Sequence, residues 1–112
     1  MLARFREKVK TGETALSFNA LVPEPNGVGD PDAWAGEHWG TKWDAVSVGV
    51  CDGEDRLDYW FETAWSPPLE WLAAVAKRFP KLRFTLEYGE PGFGLLGLVD
   101  IEDDVERHAM KD

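Results

Sequence analysis

Residues 37–68 read EHWGTKWDAVSVGVCDGEDRLDYWFETAWSPP and hold four of the six tryptophans of the chain. Within them, residues 45–51 and 57–65 alternate apolar with mostly polar side chains, as expected of strands with one buried face. The Asp52-Gly53 pair between the two runs is typical of a tight hairpin turn. We therefore predict two antiparallel strands. The valines expected on one face of the first strand are Val46, Val48 and Val50.

A helix and two further strands are predicted after this hairpin. Ser66 is expected to cap the helix, with Pro67 at its first position. Residues 82–88 then alternate strictly between apolar and polar side chains, and residues 93–101 form a last strand that two glycines weaken. The residues at helical spacing that should form the buried stripe of the helix are Leu72, Val75, Ala76 and Phe79.

The chain before residue 37 is less regular. Residues 2–10 predict a short amphipathic helix, residues 15–21 a short extended piece, and residues 23–32, with three prolines, a loop. The predicted order is helix, strand, strand, helix, strand, strand. We expect a single α+β domain over residues 1–112, a sandwich in which one antiparallel sheet carries helices on a single face.

Negative charge is concentrated in the middle of the chain and at its end. The 112 residues carry 21 acidic and 12 basic side chains, a net charge of −9. Residues 24–62 contribute −8, from ten acidic and two basic side chains, and residues 100–112 contribute −4, from six acidic and two basic side chains. Because nucleic-acid binding requires a basic face, this distribution argues against direct nucleic-acid contact. A basic protein partner is the expected alternative.

Three motifs resemble a known family. They are Trp39-Gly-Thr-Lys-Trp43-Asp-Ala, Phe61-Glu-Thr-Ala-Trp65-Ser-Pro-Pro68 and Phe79-Pro-Lys-Leu-Arg-Phe-Thr-Leu-Glu-Tyr88. Together they closely resemble the ferredoxin-like domain of the Api/YubB-like proteins of phages, plasmids and bacteria, over about Phe5 to Gly97. The resemblance implies a ferredoxin-like split β-α-β fold and a mobile-element origin. It does not imply iron–sulfur chemistry, for which the single cysteine would be inadequate.

The chain departs from this family at its beginning. Family members usually open with a strand ahead of the first helix, whereas this chain begins inside that helix. The resemblance therefore implies a sheet that lacks its first, central strand. Either residues 15–21 or a second subunit would fill the gap, or the starting methionine lies downstream of the ancestral one. The missing strand motivates the hypothesis of a homodimer.

Trp60 is the leading candidate for a binding residue. Strand alternation sends it to the face opposite Tyr59 and Phe61, among carboxylates that would attract a basic partner. We expect a small, non-enzymatic protein that inhibits a host nucleic-acid-binding or defence protein, in the manner of an anti-CRISPR or anti-restriction inhibitor, by docking on its basic surface. The residues of the predicted partner-binding surface are Asp52, Glu54, Asp55, Asp58, Trp60 and Glu62.

The alternative is a ligand-binding or enzymatic pocket at the corner that the tryptophan clusters build. Here Trp39, Trp43 and Trp65 are expected to be structural supports, since buried aromatics more often fill a core than bind a ligand. A deep pocket would favour the alternative, and a flat acidic face would favour docking. The residues of this alternative pocket are His38, Trp39, Lys42, Trp43, Asp44 and Trp65.

No catalytic residues, cofactor or metal site are predicted. His38 and Cys51 lie in different segments without a nucleophile motif around them, and the acids after Cys51 lack the spacing of a calcium loop. No apolar run is long enough to span a membrane, and the amino terminus lacks the apolar segment of a secretory signal, so a cytoplasmic location is expected. The acidic end, residues 100–112, is expected to be solvated and partly frayed.

Overall fold

The computed structural model describes residues 2–64, 66–90, 94–102 and 105–110. Its elements are α1 (Leu2–Val9), α2 (Phe18–Leu21), α3 (Pro31–His38), β1 (Val46–Asp52), β2 (Leu57–Glu62), α4 (Leu69–Arg78), β3 (Phe84–Glu90), β4 (Gly94–Glu102) and β5 (Val105–Met110). Helices combined with antiparallel strand pairs confirm the predicted α+β class. The strands form two sheets, β1-β2 and β3-β4-β5, rather than the single sheet that was expected.

The chain divides into two compact units, residues 1–75 (unit 1) and residues 76–112 (unit 2). The prediction of one domain stays a prediction. The described residues ahead of β1 contain helices and no strand.

Unit 1 begins with the predicted amphipathic helix. Phe5 and Val9 of α1 are buried and Leu2 is half-buried, so the apolar side of the helix is the one expected. The prediction of an extended piece at residues 15–21 is wrong for its second half, because Phe18–Leu21 form the single helical turn α2. Its first backbone N–H groups donate to the carboxylate of Asp44, 26 positions further along the chain, which local pattern could not indicate.

The predicted loop at residues 23–32 is wrong at its end, where α3 begins. Asp30 caps this helix by accepting a hydrogen bond from the Ala33 N–H, and Pro31 occupies its first turn. The helix ends before Gly40, whose φ of 85° lies in the left-handed region that glycine adopts without strain. Each of these start and stop signals is present in the sequence.

Phe18 is the centre of the core of unit 1. Its side chain is fully buried, and its ring packs against Trp71 at 4.9 Å, Phe61 at 5.6 Å and Trp39 at 5.8 Å between ring centroids. The ring N–H groups of both tryptophans are hydrogen-bonded. Trp71 donates to the carbonyl of Phe18, and Trp39 donates to the carbonyl of Val22. Aromatic packing and hydrogen bonds therefore both hold Trp39 and Trp71 against Phe18.

The hairpin of β1 and β2 forms as predicted, but its faces differ. Asp52 pairs with Leu57 and Gly49 with Trp60, whereas Val46 pairs with Glu62, so β1 has a bulge between Val46 and Gly49. One extra residue reverses the alternation. Val46 therefore lies exposed on the face opposite Val50, and the prediction that these valines share a face is wrong.

Tyr59 lies on the inner face of this hairpin, against the Phe5 ring at 6.1 Å. Within the described part of the chain, its buried hydroxyl has no hydrogen-bond partner. Burial raises the pKa of this phenol, Arg6 lowers it by a smaller amount, and Asp52 raises it further. The hydroxyl therefore contributes a desolvation cost without a compensating bond.

Tyr59→Phe is expected to raise the free energy of unfolding by about 1 kcal/mol, because it removes the unsatisfied hydroxyl. The gain should grow above about pH 10, where the unfolded wild-type chain releases its phenol proton before the folded chain does and the wild type loses stability. Urea unfolding of both proteins at neutral and alkaline pH measures this. A Tyr59→Phe variant that is less stable than wild type at both pH values would show that the hydroxyl is bonded in solution.

Helix α4 begins two residues later than predicted. The Ser66 hydroxyl donates to the carbonyl of Gly40 instead of capping the helix, and the first residue of α4 is Leu69. The prediction of a Ser66 cap with Pro67 at the first helical position is therefore wrong. The predicted stripe is confirmed, because all of its residues are buried. They are Leu72, Val75, Ala76 and Phe79.

Unit 2 contains the antiparallel sheet β3-β4-β5. Val99 and Ile101 of β4 are buried. Beside them, Arg83 donates two hydrogen bonds of 2.9 Å to the Asp100 carboxylate, which also accepts one from Thr85. The Arg83 guanidinium lowers the pKa of that carboxyl.

The predicted frayed end is wrong for residues 105–110, which form β5 and pair with β4. The other predicted features at residues 91–93, 103, 104, 111 and 112 lie outside the described residues.

Candidate docking surface

The outer face of the hairpin carries an exposed tryptophan among acidic side chains. Antiparallel partners point to the same face, so the pairs Gly49–Trp60, Cys51–Asp58 and Val46–Glu62 define one surface, here called the Trp60 face. Trp60 is 57% exposed. This is unusual, because tryptophan is on average a highly buried residue. Sequence alternation predicted this exposure correctly.

Trp60 is exposed, and its ring packs against a glycine of the neighbouring strand. Its ring lies directly over Gly49, so a Cβ added to Gly49 would overlap the ring atoms Cε2, Cζ2 and Nε1. Glycine weakens a strand, and it is found where another group approaches the backbone closely. The glycine therefore lets the indole lie against the backbone of β1, an arrangement here called the Gly49 seat, while the rest of the ring is exposed to solvent.

The bulge in β1 lies next to this seat. Ser47 within it has a φ of 54°, a left-handed conformation that costs a non-glycine residue about 1–2 kcal/mol. Strained backbone, a strand glycine and an exposed tryptophan thus occur together on one small surface. Such departures from local preference concentrate at functional sites, where the surrounding structure maintains them.

Gly49→Ala is expected to push the Trp60 ring off its seat, because the added methyl group occupies the position of the indole. The expected cost in unfolding free energy is about 1 kcal/mol, since the ring is exposed and can swing into solvent. The Trp60 indole N–H resonance should move toward the position of a free indole. Gly12→Ala is the matched control, because open space surrounds Gly12. An unchanged Trp60 resonance in Gly49→Ala would contradict the contact between the Trp60 ring and Gly49.

The carboxylates around Trp60 differ in their partners. Asp58 accepts two hydrogen bonds from Arg56, at 3.0 and 2.9 Å, and both side chains are exposed. Glu62 is also exposed and forms no ion pair with a cation of the described residues. Glu54 and Asp55 lie exposed in the turn between β1 and β2. The acidic side chains therefore extend from the turn along β2.

Asp52 does not belong to the Trp60 face. It pairs with Leu57, and therefore lies on the inner face of the hairpin, where its carboxylate forms an ion pair with Arg6 at 2.9 Å. The prediction that Asp52 belongs to the partner-binding surface is therefore wrong. The other five predicted residues are brought together by the turn and β2. They are Glu54, Asp55, Asp58, Trp60 and Glu62.

The residues of the alternative pocket do not converge as polar groups of one site. Trp39 is buried as expected and serves the core. Asp44 accepts hydrogen bonds from the Ser17 hydroxyl and from the N–H groups of Phe18, Asn19 and Ala45, all between 2.7 and 3.2 Å. A carboxylate with four donors has little capacity left for a ligand. Trp65 lies outside the described residues.

The remaining pocket candidates are on the surface. The His38 ring stacks on Trp34 with centroids 4.5 Å apart, and its Nδ1 lies 2.9 Å from the Trp34 carbonyl. Lys42 lies 3.8 Å from Asp32 and 5.8 Å from the centre of the Trp43 ring. Trp43 is 49% exposed, whereas a buried or half-buried structural support was expected. The cation beside it distinguishes Trp43 from Trp60.

No group of three acidic, histidine or cysteine side chains in the described segments is arranged to hold a metal ion. Among the helices of those segments, none is long and apolar enough to cross a membrane.

The helices and antiparallel sheets described above define the class of the protein as α+β. A family model described as the ferredoxin-like domain in Api92-like protein matches residues 38–110. The chain belongs to this family, as its tryptophan motifs indicated. No curated protein and no solved structure matches the chain significantly.

Two features of the surface were missed by sequence reasoning. The Gly49 seat depends on the strand register, which the bulge changes and alternation alone cannot give. The Arg56–Asp58 pair has a weak signal in the sequence, since opposite charges two positions apart lie on the same side of an extended chain. The register would have been needed to place that pair beside Trp60.

Proposed function

We propose that the protein is a small, non-enzymatic interaction protein that docks its Trp60 face on a cationic surface of a partner protein. The observation that carries this proposal is the exposed Trp60 ring, seated on Gly49 and flanked by the carboxylates of Asp58 and Glu62. A rigid aromatic side chain loses little conformational entropy on binding, and tryptophan is enriched among the residues that dominate interface energies.

The charge distribution supports a basic partner. Residues 24–62 contain ten carboxylates, of which Asp32, Asp52 and Asp58 form ion pairs within the described structure. The segment keeps a large excess of negative charge, and charge complementarity of this kind accelerates association and excludes acidic partners. The same excess disfavours direct binding to nucleic acid.

The partner class that fits best is a protein with a basic groove, such as a host nucleic-acid-binding or defence protein. Occupying such a groove would block access of nucleic acid, which is the mode of inhibition expected of an anti-CRISPR or anti-restriction protein. The resemblance to phage and plasmid proteins supports a mobile-element origin, and the site of action that we propose is the cytoplasm.

The test compares capture of host proteins by the wild-type chain and two variants. Trp60→Ala removes the proposed anchor, and Trp43→Ala is the matched control, because Trp43 is similarly exposed but lies beside Lys42. We expect a partner that wild type and Trp43→Ala retain, that Trp60→Ala loses, and that dissociates as salt is raised. Binding that is insensitive to salt, or lost equally in both variants, would refute docking through this face.

Self-association is the competing explanation for an exposed apolar surface. Light scattering of wild type and Trp60→Ala separates the two. A monomeric mass for both is expected for a docking surface. A wild-type dimer that Trp60→Ala converts to a monomer would assign the Trp60 face to a homodimer, and would refute the docking proposal.

A further inference from the structure

An arginine of the chain itself already binds the carboxylate that lies two positions before Trp60 in sequence. The Arg56 guanidinium contacts Asp58 through Nε and Nη2, each bonded to a different carboxylate oxygen, at 3.0 and 2.9 Å. This two-point contact is specific to the planar fork of arginine, and the point charge of lysine cannot reproduce it. The Asp58 side chain is 49% exposed even with Arg56 bound to it, so its carboxylate lies at the surface.

Asp58 and Trp60 are neighbours on one face of β2. Residues two positions apart in a strand are separated by about 7 Å and point in the same direction. Glu62 follows at the same spacing on the other side of Trp60. An exposed indole with a carboxylate on either side combines the two kinds of group that bind a guanidinium best, an aromatic face for stacking and oxygen acceptors in its plane.

We propose that the docking group of the partner is an arginine, whose guanidinium takes the place of Arg56 on Asp58 and stacks on the Trp60 ring. This inference rests on the proposed function and specifies its chemistry. Arg56 then acts as an internal competitor that covers Asp58 until the partner arrives.

Exchange of one arginine for another is inexpensive at this position. The Arg56 side chain is 74% exposed, and ion pairs between exposed side chains contribute little to stability. Because Arg56 sits in the turn, it can move away without disturbing the strand pairing of β2. Removing Arg56 is therefore expected to strengthen binding of the partner arginine, because it uncovers the Asp58 carboxylate. The net charge of the chain becomes more negative by only one unit.

Hexa-arginine and hexa-lysine peptides of equal charge provide the probe. Titration of isotope-labelled protein, followed through the indole N–H resonances of its tryptophans, reports where each peptide binds. We expect hexa-arginine to shift the Trp60 resonance and to bind several-fold more tightly than hexa-lysine. Arg56→Gln should tighten hexa-arginine binding by up to about fivefold, the contribution of one exposed ion pair.

Two variants locate the preference. Trp60→Leu and Asp58→Asn should each reduce the ratio of arginine to lysine affinity to about one. Glu37→Gln is the matched control for the loss of one negative charge, because Glu37 lies exposed in α3, and it should leave the ratio unchanged.

The outcomes separate the inference from the proposed function. If both peptides bind the Trp60 face equally well, or if Arg56→Gln weakens hexa-arginine binding, the arginine inference is refuted while charge-driven docking remains. If neither peptide shifts the Trp60 resonance at millimolar concentration, or if both act only at Trp43, docking through the Trp60 face is refuted as well.

Discussion

Phe18→Ala is expected to lower the free energy of unfolding by about 3–5 kcal/mol, the range found when a buried phenylalanine is truncated to alanine. The Phe18 ring is fully buried and contacts three other aromatic rings, so the cavity left behind is lined by large, rigid side chains that cannot collapse into it. Urea unfolding followed by circular dichroism measures the loss. It would remove a large part of the stability of a domain of this size.

Phe18→Leu distinguishes a cavity from general disruption of α2. Leucine keeps much of the buried volume, so we expect a loss well below that of Phe18→Ala, about 1–2 kcal/mol. Trp60→Ala is the matched aromatic control, because that ring is mostly exposed. It should change the unfolding free energy by less than about 1 kcal/mol. Equal losses in Phe18→Ala and Trp60→Ala would contradict the assignment of Phe18 as the centre of the core.

The parts of the fold that could be predicted are those that local pattern determines. Alternation located β1 and β2, and helical spacing located the buried stripe of α4. Helix α2 could not be found in this way, because a single turn has no periodicity and its first N–H groups are satisfied by the distant Asp44. Helix α3 could have been found, since Asp30 and Pro31 are a recognisable start signal.

Strand β5 was obscured by its charge. Glu106 and His108 pair with Ile101 and Val99, and so point to the same face as those buried residues, where an apolar pattern would normally be expected. Charged side chains on an edge strand prevent pairing with other chains. Because they replace apolar residues on one face of β5, the alternation of apolar and polar residues that identifies a strand is lost. An acidic segment at the end of a chain is therefore not sufficient to predict a frayed tail.

Most residues of the candidate surface could be predicted from the sequence, but the strand register and the side-chain contacts that place them could not. Trp60 and Glu62 follow from alternation within β2 alone. The exclusion of Asp52 requires the length of the turn, because a loop of four residues pairs Asp52 with Leu57 and sends it inward to Arg6. Register and side-chain partners are tertiary properties, and they decide which carboxylates a docking partner can reach.

Asp44→Ala is expected to lower the free energy of unfolding by about 3 kcal/mol, because one carboxylate organises the start of α2. It accepts bonds from the Ser17 hydroxyl and from three backbone N–H groups, including that of Phe18. Bonds to a charged group each contribute about 1.5–3 kcal/mol, and solvent will recover part of this for Asn19, which is exposed. Urea unfolding measures the total, and amide hydrogen exchange at Phe18 should accelerate before global unfolding.

Graded variants test whether the carboxylate, rather than the size of the side chain, is responsible for this effect. Asp44→Asn keeps one acceptor oxygen and should lose less than Asp44→Ala, and Ser17→Ala, which removes a single bond, should lose about 1 kcal/mol. Glu37→Ala controls for the removal of one negative charge from an acidic chain and should be nearly neutral. If Asp44→Ala were no more destabilising than Glu37→Ala, the hydrogen bonds to Asp44 would not hold α2 in place. Asp44 would then be free to serve as a polar group of a pocket, the role that its four donors now exclude.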